Sequence, residues 1–340
     1  MSEIDLDAAV RAGVLDATTR ERLLAFASET AVTTAGPDEE SFRLLTGFND
    51  IFVTIAIGLV LFAISSLAGR IDPIVGPALV AAASWGLAEY FTRNRRMALP
   101  SIVLLLAFIG GVFATVLAVT TGGSNLGPET TGSLGVVAAA AAAAIAAYAH
   151  WRRFMVPITV AAGAAAIGGT VLATVAALMP VSPDLLLVLV LLAGLATFAL
   201  AMSFDMRDRA RTTRWADVAF WLHLLAAPAI IHPVFALAGL LHGNPAPGAA
   251  VAVIAVYAGL TLVALAIDRR ALLVSALAYV VYAIQSLVAS GGALDMSLAL
   301  TALVIGSFLV LLSVAWRPIR ARVLTLLPAG LTARLPVVTV

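Results

Sequence analysis

The sequence predicts an all-α fold: a polytopic transmembrane helix bundle of about ten spans arranged as successive hairpins, preceded by a small N-terminal cytosolic helical hairpin. Three observations predict it. Apolar residues fill 62% of the chain and Asp, Glu, Lys and Arg only 11%, against roughly 25% charged in an ordinary soluble domain. From Ile51 onward, apolar runs near the roughly 20 residues needed to cross a hydrocarbon core follow one another. Arginine falls almost entirely into alternate connections between those runs.

The first 48 residues are the one sizeable polar region. Asp5 is placed to cap a short helix carrying Leu6, Ala9 and Val10, which Gly13 ends, and Asp16 to cap a second with Leu23, Leu24 and Phe26 on one stripe. Residues 1–29 therefore read as a helical hairpin and 30–48, with Gly36-Pro37-Asp38, as a linker. The hairpin's apolar stripe is too small for a core of its own, which implies a protein partner or the membrane surface as its support.

The bundle is expected over 49–316, with spans near 51–69, 74–91, 99–119, 134–150, 155–179, 185–203, 217–240, 249–267, 272–289 and 297–315, and a cytosolic or interfacial tail over 317–340. The fourth span contains the alanine tract Ala138 to Ala144, which is only weakly hydrophobic and so calls for shelter by neighbouring helices. Gly163, Ala164, Ala165, Gly168 and Gly169 in the fifth span predict a close approach by another backbone.

Orientation follows from the arginines. Fourteen lie after the even-numbered spans, from Arg93 to Arg322, and only Arg70 lies after an odd one. Basic residues stay on the cytoplasmic side, so both termini are expected there. The complete absence of lysine, with heavy alanine use, reads as the codon usage of a GC-rich bacterium, which makes the bilayer a bacterial inner membrane. Glu3, Asp5 and Asp7 open the chain with no apolar run behind them, so no cleaved targeting peptide is expected. The arginine turns recur at 95, 152, 211, 269 and 317, 48 to 59 residues apart, roughly the length of two spans with their loops. A hairpin repeat keeps every copy in one orientation, which counts against a five-plus-five inverted-repeat carrier.

Composition excludes several chemistries. A formal net charge of +1 gives no basic face for phosphate backbones, so no nucleic-acid partner is expected. With no cysteine there are no disulfides, thiolate nucleophiles or Cys-ligated metals. HExxH, GxSxG and a phosphate-cradling glycine loop are missing, so neither enzyme activity nor a catalytic residue, metal or cofactor is assigned. His223 and His232 lie nine residues apart on opposite faces of one helix and cannot hold a haem between them.

Polar residues inside spans are the remaining pointers. The seventh span holds His223, Pro228, His232 and Pro233, where each proline frees a backbone carbonyl. His232, with Tyr282 and Gln285 of the ninth span at similar depth, forms the candidate polar cluster. Trp85, Glu89 and His223 are secondary candidates: Trp85 and Glu89 share a face at the cytoplasmic end of the second span, as an interfacial tryptophan and a headgroup-level carboxylate within reach of Arg93. Asp50 and Asp217 each open a span as helix N-terminal charges.

Val10-Arg11-Ala12-Gly13-Val14-Leu15-Asp16, then Leu23-Leu24-Ala25-Phe26, a linker and an unbroken series of hydrophobic hairpins resemble a family of uncharacterised bacterial multi-pass membrane proteins with a short cytosolic hairpin, a domain of unknown function. Gly47-Phe48-Asn49-Asp50 and Trp85-Gly86-Leu87-Ala88-Glu89-Tyr90-Phe91 look like signatures of a subgroup. The resemblance implies the layout and no activity. Two functions fit it: small-molecule transport, favoured by the number of spans, and a non-catalytic scaffold or regulator whose hairpin recruits a partner, favoured by the scarcity of buried charge.

Overall fold

A computed structural model of the chain describes residues 10, 12–24, 48–122, 134–209, 211, 213–239, 247–270, 272–273, 277, 280–281, 297–332 and 335–336. Their regular secondary structure is entirely helical. The chain divides into two units, the larger spanning Leu44–Val338.

In the smaller unit Asp16 caps a helical stretch over residues 17–24. Its carboxylate accepts from the Thr19 amide at 2.7 Å and the Thr19 hydroxyl at 2.6 Å, and these bonds hold Asp16 below the usual carboxylate range. The expected Asp5 cap, Phe26 and residues 30–47 lie outside the described residues.

The larger unit runs α1 (Phe48–Ala68), α2 (Val75–Ala88) with a π-helical turn (Glu89–Asn94), α3 (Ala98–Thr121), α4 (Leu134–Phe154), α5 (Ile158–Leu178), α6 (Pro183–Arg207), α7 (Arg214–Leu237), α8 (Pro247–Ile267), α9 (Ser297–Val314), α10 (Trp316–Thr325) and the short α11 (Ala329–Thr332). Local chemistry sets several ends. Gly122 closes α3 at φ +63°, Ser182 accepts from the Leu185 amide with Pro183 in the first turn of α6, and Thr213 accepts from the Trp215 amide to open α7.

Among the described residues, six helices (α1, α3, α4, α5, α6 and α7) are long and apolar enough to cross a membrane. Shorter apolar stretches lie at Ala255–Ile267 and Ile305–Val314. Phe52, Ile55, Leu59 and Phe62 of α1 are all more than half exposed, an apolar face of the kind that meets a membrane or another protein. α4 shelters a third of its apolar window, more than any of these helices except α7, as its alanine tract requires. Of the ninth expected span only residues 272, 273, 277, 280 and 281 are described, all helical.

The tightest packing lies within hairpins, α2 on α3, α4 on α5 and α6 on α7, each pair joined by an arginine turn. Those turns share a backbone feature. Arg96, Met155, Arg211 and Asp268 all have positive φ, between 53° and 57°. An L-residue in this region costs roughly 1–2 kcal/mol, and the recurrence at four successive turns marks one turn design used repeatedly.

The expected close approach on α5 is not where the backbones meet. A Cβ added to Gly168 or Gly169 would find open space, and at Gly163 only the Ala147 methyl at 3.5 Å. The intimate contacts are at Gly111, where an added Cβ would lie 2.8 Å from the Pro77 carbonyl oxygen, and at Gly194, where it would lie 2.8 Å from the Ala229 carbonyl carbon. The second has a local cause. Pro233 cannot donate to the carbonyl four residues earlier, that of Ala229, and its ring crowds it; Gly194 of α6 leaves room for the displaced group.

Candidate functional site

The best-formed polar constellation gathers where α6, α7 and α8 end or begin. Asp205 stands in the last turn of α6, His223 on α7 and Arg269 just beyond α8; all three are at most 2% exposed. His223 Nε2 lies 2.9 Å from Asp205 Oδ2. Arg269 donates to both carboxylate oxygens, through Nε at 3.3 Å and through Nη2, and Nη2 also reaches the Ala216 carbonyl at 3.2 Å. The guanidinium and the imidazole thus hold the carboxylate from two sides. In the tautomer that donates Nε2–H to Asp205, Nδ1 is a lone-pair acceptor, and this buried Nδ1 has no partner. Phe198 covers the ring at 5.2 Å between centroids.

A second layer surrounds Asp268. Arg211 Nη1 donates to it at 3.1 Å and Trp316 Nε1 at 2.8 Å, while Arg320 Nε lies 3.7 Å away. Backbone carbonyls accept further guanidinium protons: Arg211 reaches Ile267 and Asp268, Arg320 reaches Leu265 and Pro336, and Arg209 reaches Leu335. Arg270 stacks over Trp316 at 4.9 Å. The layer clamps α10 and residues 335–336 against the ends of α6 and α8.

The sequence-derived candidates fall in different places. His223 belongs to this constellation, and His232 is exposed on the opposite face of α7, as nine residues of helix demand. Tyr282 and Gln285 lie outside the described residues. Trp85 is half-buried. It packs inward against Phe108 at 5.0 Å, Phe154 at 5.1 Å and His150 at 6.2 Å, because α3 and α4 both close over α2. Glu89 bonds Arg93 at 3.4 Å as expected, but its bidentate partner is Arg153 of α4, at 2.7 and 2.8 Å.

Sequence reasoning missed Asp205, read Arg269 only as a turn arginine, and weighed His150 only as a haem partner for His223. Fully buried His150 bonds Thr159 Oγ1 through Nδ1 at 3.2 Å across the α4–α5 hairpin, and its Nε2 has no partner. The arginines had all been assigned to topology. The signal that separates them is an acid set among them, as in Phe204-Asp205-Met206-Arg207 and Ile267-Asp268-Arg269-Arg270. Among the described residues, no three His, Asp or Glu side chains converge as a metal site would require.

No family model, curated protein or solved structure matches the chain.

Proposed function

We propose that the chain is a multi-pass protein of a bacterial inner membrane, with about ten spans and both termini in the cytoplasm, and that it serves small-molecule transport, with Asp205, His223 and Arg269 as its ionisable centre. Six helices of membrane length support the first part, and the arginine turns support the orientation. The observation that carries transport is the buried Asp205–His223–Arg269 cluster with an unpartnered ring nitrogen. Ionisable groups within a membrane bundle are costly and mark solute or proton paths. Membership of the resembled multi-pass family, with its cytosolic hairpin, is part of this reading.

The test begins with the full chain in nanodiscs, screened by thermal shift against a metabolite panel, since a ligand must stabilise what it binds. Any stabilising solute is then offered to proteoliposomes. Uptake above that of empty liposomes, lost in His223→Gln, is the expected result; stabilisation without uptake refutes transport.

A second reading, a non-catalytic scaffold or regulator whose N-terminal hairpin recruits a protein partner, is favoured by the Asp268 layer, whose arginines are taken up by backbone carbonyls in the manner of a structural clamp. It predicts that removing residues 1–29 abolishes co-purification of that partner and leaves the bundle folded.

A further inference from the structure

The arginine turns differ in how their charges are covered. After α2 and α4, Arg95, Arg96, Arg152 and Arg153 are all exposed. After α6 and α8, Asp208, Asp268 and Arg269 are buried. A charged group beside a helix end stays out of water only when other residues lie over it. Part of the cover at these two turns comes from far along the chain, at residues 335–336.

Leu335 and Pro336 are both buried, and Leu335 joins the apolar cluster that contains Leu265, Ile267 and Trp316. Two arginines grip their carbonyls. Arg209, in the α6–α7 turn, donates through Nε to Leu335 at 2.9 Å, and Arg320 of α10 donates through Nη2 to Pro336 at 2.8 Å. Arg320 Nε also reaches the Leu265 carbonyl of α8 at 3.2 Å. Two residues outside any helix thus tie the turn that follows Asp205 to the end of α8 that precedes Arg269.

The tie is lightly anchored. The nine residues 326–334 lead from α10 to Leu335 through α11, which has no buried residue, and Leu326 and Leu331 on the way are 83% and 53% exposed. α10 has fixings of its own, Trp316 on Asp268 and Arg320 on Leu265, so residues 335–336 can leave without it. Their departure uncovers one large apolar side chain. Water can take over both arginine bonds, because a hydrogen bond contributes only its small net difference from solvation. Segments with so few buried contacts open locally at far lower cost than the whole molecule unfolds.

We propose that residues 335–336 form a releasable latch. Closed, it holds the α6–α7 turn against α8 and keeps water and solutes from the Asp205–His223–Arg269 cluster; released, it opens that cluster from the side of the arginine turns. As regulation the latch rests on the reading of the cluster as a transport centre, yet its opening is measured without any transported solute, so a failed uptake assay and a failed latch are told apart.

The test exploits the lack of native cysteine. Ala216, whose carbonyl accepts from Arg269, is buried beside the cluster. Ala216→Cys is introduced into the full chain in nanodiscs, where both faces meet solvent, and its alkylation by N-ethylmaleimide is timed. Removing residues 335–340 should raise the rate at least tenfold. Arg209→Ala, which removes one of the two grips from an exposed side chain, should raise it at least threefold. Ser101→Cys, buried on α3, is the reference and should keep its rate in both backgrounds. Should the shortened chain fail to fold, Arg209→Ala alone decides. The proposal is overturned if Ala216→Cys keeps the parent rate in either folded variant, or if Ser101→Cys speeds up to the same degree, which would mean that the whole bundle loosens.

Discussion

At the scale of single residues, the decisive difference is between a buried charge with its partner and one without. Removing the charge of Asp205 takes from Arg269, 2% exposed, its hydrogen-bonded counter-charge, and breaking such a pair typically costs about 3–5 kcal/mol. Asp205→Asn should lower the melting temperature sharply in nanodiscs, and the double change with Arg269→Gln should recover part of the loss. If Asp205→Asn melts with the parent, the cluster is not a coupled unit. Asp16 offers the opposite case, an exposed carboxylate whose Thr19 bonds lower its pKa in the folded state. A depressed folded-state pKa stabilises above the unfolded value, near 3.9, and that contribution disappears as pH falls through the folded value. The Thr19 amide resonance should therefore hold its capped position down to about pH 4 and move only below it; movement centred well above pH 4 would show that the cap is absent.

Elements were the most legible level, because span length and cap chemistry are local. Pro183, Ser182, Thr213 and Gly122 stand where helices begin or end, and six of the ten expected runs are described helices long and apolar enough to cross a membrane. Helix-to-helix contact was less legible, since small residues announce that a backbone can come close and not which one does. The α5 glycines advertise an approach that occurs instead at Gly194, through a carbonyl that Pro233 displaces on another helix. Gly194→Ala drives a methyl into the Ala229 backbone and should cost about 1–3 kcal/mol. Gly168→Ala meets open space and should stabilise by about 0.5–1 kcal/mol through helix propensity. Thermal melts of the two variants should separate in opposite directions; equal melts would remove the case for this contact.

For the molecule as a whole, one sequence feature carried two meanings. Arginines at alternate turns carry the proposed orientation, yet Arg211, Arg269 and Arg320 also turn inward and hold acids and carbonyls together. The candidate centre was hidden for that reason: orientation needs only the count of positive charges, whereas the cluster depends on which of them meets Asp205 or Asp268 after folding. The positive-φ residue at four successive turns ties the two meanings together, because one turn design brings each arginine pair to the same end of its hairpin. The central claim is that these turns all lie on one face of a bilayer and that face is cytoplasmic. With no native cysteine, single substitutions report on it directly. Asn94→Cys and Met206→Cys should react with a membrane-impermeant maleimide only in inside-out vesicles, and Ile71→Cys and Pro180→Cys only in intact spheroplasts; labelling of Met206→Cys from outside would contradict the account.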